Sequence, residues 1–114
     1  MSLRTVAAFC QPGVLTPQVI ARWLVEGIAL MECDTIEDVR QIPRDELLGA
    51  VMDAELEVDH ILQLSEELKR LNIAFVFIAP GNGEWPGFQL RGGSPRIRQI
   101  EEALIFQNDD GRRH

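Results

Sequence analysis

No apolar run in this 114-residue chain reaches the roughly 18 residues that a membrane-spanning helix needs. Its first residues lack the basic start and long apolar stretch of a secretory leader. Positive charge is scarce: 11 Lys and Arg stand against 18 Asp and Glu, for a net charge of -7. A surface of that sign repels phosphate backbones and argues against direct nucleic-acid binding. Cysteine is scarce too. Cys10 and Cys33 lie inside apolar segments and match neither a disulfide framework nor a zinc spacing, so they read as reduced thiols of a cytoplasmic protein. No repeat, linker or low-complexity block divides the chain. The expectation is one domain over residues 1–108, with a polar, mobile tail over 109–114. What is present, 46% hydrophobic and 25% charged residues, suits a folded globular domain and excludes disorder, collagen and coiled coil.

Local patterns order the elements. Arg4 to Cys10 is a short apolar run stopped by Gln11-Pro12-Gly13, as in a buried strand ended by a turn. Thr16-Pro17 reads as an N-cap followed by proline at the first helical position. Val19, Ile20, Trp23, Leu24 and Ile28 share a face from there, and Gly27 marks the end. Ala29 to Cys33 is a second strand. Asp34 or Thr35 caps a short helix carrying Ile36, Val39 and Ile42 before Pro43. Leu47 opens a third strand whose apolar stretch ends at Asp53. Val58 to Leu71 is the clearest helix, and Asn72 suits a left-handed cap. Ile73 to Ile78 is an unbroken apolar strand of the kind buried on both faces of a sheet. A loop, Ala79 to Gly87, leads to a short strand over Phe88 to Arg91. Ser94-Pro95 then opens a last helix with Ile97, Ile100, Leu104 and Ile105 on one face.

Strands alternating with helices imply a three-layer α/β fold around a parallel sheet with right-handed crossovers. At this length the natural arrangement is a flavodoxin-like five-stranded sheet of order 2-1-3-4-5. Its functional residues gather beyond the carboxyl ends of the strands. Those positions are Phe9 to Gln11, Cys33-Asp34, Asp53, Ala79 and Arg91.

Two stretches resemble a response-regulator receiver domain. LGAVMDAELEVDHILQLSEELKRLNIAFVFIAPG, from Leu48 to Gly81, is similar to the receiver's third strand, ending at the phospho-accepting aspartate, then helix and fourth strand. FQLRGGSP, from Phe88 to Pro95, is similar to the fifth strand, where an aromatic precedes a lysine by three. The resemblance implies Asp53 at the phosphoacceptor position, Ala79 and Phe88 at the switch positions, and Arg91 at the phosphate-pairing lysine. It also implies Phe9, Cys10 and Gln11 where receivers carry a magnesium-holding acidic pair. Only the aspartate is kept by identity. The residues between Pro80 and the fifth strand are too few for the usual fourth helix, since three turns need about 11 residues. That helix is expected to be missing or reduced.

Carboxylate phosphorylation needs a cation to neutralise the transferring group, and magnesium wants octahedral oxygen. Asp53 is the only carboxylate in place by that resemblance. Glu55, two residues on, and Asp34, on a neighbouring strand, are candidate extra oxygens. Arg91 is not a simple substitute for lysine. The expected chemistry is therefore degenerate, with no cofactor and no catalysis, and Asp53 caps a helix or pairs with Arg91. Function then lies in protein interaction within two-component signalling, with a histidine kinase, another signalling protein or a second copy as partner. Trp85 and Phe88 are the interface candidates. Two alternatives stay open: a working single-domain response regulator phosphorylated on Asp53 with magnesium, and a small ligand-binding or enzymatic domain at the same crevice. His60 and His114 have no partner in sequence, Cys10 reads as a small buried hydrophobe, and Gly81-Asn82-Gly83 lacks the phosphate-loop pattern.

Overall fold

A computed structural model describes residues 4–79, 88–89 and 94–112, with backbone alone for residues 79, 88–89, 94–95 and 108–112. The element order is β1 (Arg4–Phe9), α1 (Pro17–Val25), β2 (Ile28–Glu32), α2 (Ile36–Arg40), β3 (Leu47–Asp53), α3 (Val58–Arg70), β4 (Phe75–Ala79), β5 (Phe88–Gln89) and α4 (Ser94–Arg112). The first four strands form a parallel sheet in the order β2-β1-β3-β4. The two residues of β5 pair parallel to the end of β4, Phe88 opposite Ile78 and Gln89 opposite Ala79. The expected loss or reduction of a helix between β4 and β5, the strand over 90–91 and the places of Arg91 and Trp85 lie outside the described residues.

Local chemistry accounts for the boundaries. Thr16 caps α1, its Oγ1 accepting from the Val19 N–H at 3.3 Å, and Pro17 follows at the first helical position. Gly27, at φ 84°, turns the chain into β2. At α2 the Asp38 carboxylate accepts from the Asp34 and Thr35 N–H groups at 2.9 and 3.2 Å, and these bonds hold its pKa below the usual value. Asn72 ends α3 in the left-handed region, at φ 58°. α4 continues to Arg112, past the boundary that polarity suggests at Asp109.

The sheet separates two cores. Val19 and Trp23 of α1 meet Ile97, Ile100 and Leu104 of α4 on one face; Val39 of α2 joins Leu64 and Leu68 of α3 on the other. Burying Trp23 and its aliphatic neighbours stabilises the first layer by about 1.5–3 kcal/mol per large side chain. β4 departs from the expectation of burial on both faces. Val76 and Ile78 are buried in the α1/α4 core, whereas Phe77, on the α3 side, stays 38% exposed and Phe75 is half-buried beside it. The two rings meet edge to face with centroids 6.0 Å apart. α3 lies over β3 and the near side of β4, and among the described residues nothing covers the ring of Phe77 fully. The edge of β4 is treated differently. Gln107 of α4 sets its side-chain amide against Phe75, donating to its carbonyl at 2.9 Å and accepting from its N–H at 3.2 Å. That amide satisfies the strand edge where β5 does not reach. Among the described residues no helix is long and apolar enough to cross a membrane.

Candidate functional site

The site sits at the carboxyl end of β3, between the turns that follow β1 and β3. β3 is apolar from Leu47 to Met52 and closes on Asp53, which is completely buried. It is the sole charged or polar residue in the buried set among the described residues. Both carboxylate oxygens are taken by main-chain donors. The Glu55 N–H donates to Oδ1 at 2.8 Å, the local pattern of an aspartate that folds the chain back over itself. The Gln11 N–H donates to Oδ2 at 3.3 Å.

Gln11 reaches Asp53 because β1 and β3 are neighbours in register, Phe9 opposite Met52. The turn after β1 fixes it further. The Val14 N–H donates to the Gln11 carbonyl at 3.2 Å, with proline second and Gly13 third at φ 87°. That is the turn type that requires a left-handed third residue. The Gln11 side chain then crosses the gap, its Nε2 donating to the Glu55 carbonyl at 3.3 Å. A carbonyl can only accept, so the nitrogen end of the amide must face it. Gln11, Asp53 and Glu55 thus close a ring of three hydrogen bonds.

The three residues at the end of the first strand part company. Phe9 is buried in the α2/α3 core and Cys10 in the α1/α4 core, so neither contributes oxygen to the site; Gln11 alone does polar work there. Burial, then the nearby charges of Asp53 and Glu32, pushes the Cys10 thiol up to about 12, the opposite of what a nucleophile needs. Cys33 is pushed up to about 11, mainly by burial. Strand order keeps Asp34 away from Asp53. Asp34 follows β2 by two residues, and β1 lies between β2 and β3, so the ends of those strands stand roughly 10 Å apart at the usual strand spacing. The Glu55 side chain is exposed; its main chain is what engages the site.

Among the described residues no three His, Cys, Asp or Glu side chains are grouped to hold a metal ion. The donor set round Asp53 fits magnesium poorly: one carboxylate and one carbonyl, each facing an N–H donor rather than another oxygen. By backbone register Phe88 stands opposite Ile78 and Ala79 opposite Gln89, so the two switch-equivalent positions are not cross-strand partners, and their side chains, with Arg91 and Trp85, lie outside the described residues. The chain's single lysine, Lys69, is in the last turn of α3.

A second feature, invisible in sequence, is an open groove of about 260 Å³ between α2 and α3, lined by Asp34, Arg40, His60, Gln63 and Glu67 among others. His60 Nε2 lies 3.2 Å from the Asp34 carbonyl, tying the start of α3 to the end of β2. Comparison with protein-family models, with curated proteins and with solved structures finds no match for this chain.

Proposed function

We propose that the chain is a receiver-like signalling domain of two-component type whose phosphoacceptor position, Asp53, is closed, and which acts by protein–protein contact. On this reading the sheet is the flavodoxin-like one of order 2-1-3-4-5, and the four-strand order with β5 beside β4 is compatible with it. The observation that carries the proposal is the state of Asp53. It sits at the end of a central strand, where a receiver's nucleophile would be, yet it is fully buried with both oxygens held by main-chain N–H groups. Such a carboxylate is a structural acceptor, tying two turns together, rather than a nucleophile open to a phosphodonor. The proposed setting is the cytoplasm and the proposed partner a histidine kinase, another signalling protein or a second copy of the chain.

The test is titration with beryllofluoride and magnesium, followed by the backbone amide resonances of Gln11, Asp53 and Glu55. The expected result is no saturable change. Saturable shifts centred on Asp53, lost in Asp53→Asn, would instead establish a working phosphoacceptor and overturn the closed-site reading.

A further inference from the structure

Two donors converge on the Asp53 site from one residue. The main-chain N–H of Gln11 points at Asp53 Oδ2, and its side-chain Nε2 points at the Glu55 carbonyl. A divalent cation at this site would have to draw on the same two oxygens. Each already faces an N–H of Gln11; Asp53 Oδ2 keeps a lone pair beside its main-chain bond, so it is the side-chain nitrogen, standing where an ion on the Glu55 carbonyl would take its next oxygen, that repels the ion. We infer that Gln11 stands in for a cation at the Asp53 site: its two donors fasten the β1–α1 turn to the β3–α3 turn through oxygens a metal would use, and its side-chain nitrogen makes the site selective against divalent ions. This deepens the closed-site reading above and rests on it.

The geometry makes a specific reversal available. Ligand oxygens at right angles round a cation, at calcium distances of about 2.3–2.6 Å, lie roughly 3.3–3.7 Å from one another. Gln11 Nε2 and the Glu55 carbonyl oxygen are 3.3 Å apart. Gln11→Glu is isosteric and exchanges that nitrogen for an oxygen at the same spacing. A second carboxylate then stands beside Asp53, two oxygens repel each other, and a cation relieves both. Gln11 is exposed, so the exchange introduces no buried group and leaves the main-chain bond to Asp53 in place.

The experiment is a calcium titration of the full chain, read by the amide resonances of residues 11, 53 and 55. The wild type is expected to show no saturable change up to about 10 mM, and Gln11→Glu to bind at least about tenfold more tightly than that limit. Gln11→Glu with Asp53→Asn should lose the gain. A folded Gln11→Glu chain that stays silent would overturn the inference, as would a double variant that binds equally well, since the ion would then sit elsewhere. Saturable calcium binding by the wild type at these amides would also overturn it. The outcomes separate from those of the closed-site reading: beryllofluoride on wild-type Asp53 defeats that reading, whereas a silent Gln11→Glu with a silent wild type defeats this inference alone.

Discussion

Replacing Asp53 by asparagine changes one oxygen to an amide nitrogen and removes a buried charge, while keeping the shape. The structure says which bond is lost. Asparagine has one acceptor, and the shorter bond, 2.8 Å from the Glu55 N–H, will hold it. The new NH2 group then faces the Gln11 N–H, donor against donor, where a bond of 3.3 Å stood. Hydrogen bonds to a charged acceptor are worth about 1.5–3 kcal/mol, and the stranded N–H adds its desolvation. Relief of the buried charge offsets part of this. The net expectation is a loss of about 2 kcal/mol, a fall of roughly 1 M in the urea midpoint at an ordinary denaturant dependence for this size. Gln11→Ala removes only the exposed side-chain bond to Glu55, so it should cost less than about 1 kcal/mol. Chemical denaturation of the three chains, followed by tryptophan fluorescence, makes the comparison. An Asp53→Asn chain more stable than the wild type would overturn that expectation. It would mean that the carboxylate is retained against stability, as chemistry requires and structure does not.

Two further outcomes follow from packing. Cys10 and Cys33, raised from 9.0 to about 12 and about 11, stay protonated in the fold after the unfolded thiols ionise. Their contribution is therefore full below pH 9 and is lost as pH rises through the folded values, by about 2–3 kcal/mol at pH 10 for the pair. With no tyrosine and one lysine, few other side chains titrate in that window. Denaturation at pH 8 and 10 checks this, and a flat profile would contradict it. Gly49→Ala should destabilise by about 1–3 kcal/mol, because the added carbon would meet the Ala74 carbonyl oxygen at 2.7 Å and Leu104 Cδ2 at 2.8 Å. The leucine can turn aside, but the carbonyl is backbone just before β4 and is held by the Ala50 N–H at 2.9 Å. A thermal melt unchanged by this substitution would show that β3 and β4 have slack.

The order of elements was legible because their ends carry local chemistry: Thr16-Pro17, Gly27 and Asn72 each act within a turn of themselves. Asp53 was legible as the residue that stops an apolar strand. Its partners were not. The bond from Gln11 spans 42 residues and depends on β1 lying next to β3 in one register, which no local pattern encodes. The Gln11-Pro12-Gly13 turn announced a change of direction but not what the first residue would hold. The same limit explains β4. An unbroken apolar run gives no sign of which face the described helices cover less, and Phe77 stays 38% exposed on the side of α3. Gln107 closes the β4 edge from 32 residues away, and its role appears only once α4 is docked.

The proposed function makes Asp53 a closed acceptor in a receiver-like domain. Its most direct test is the intact mass of the full chain after incubation with magnesium and a small acyl-phosphate donor, beside Asp53→Asn treated alike. No phosphoryl adduct is expected on either chain. A phosphoryl adduct on the wild type that is absent from Asp53→Asn would contradict it.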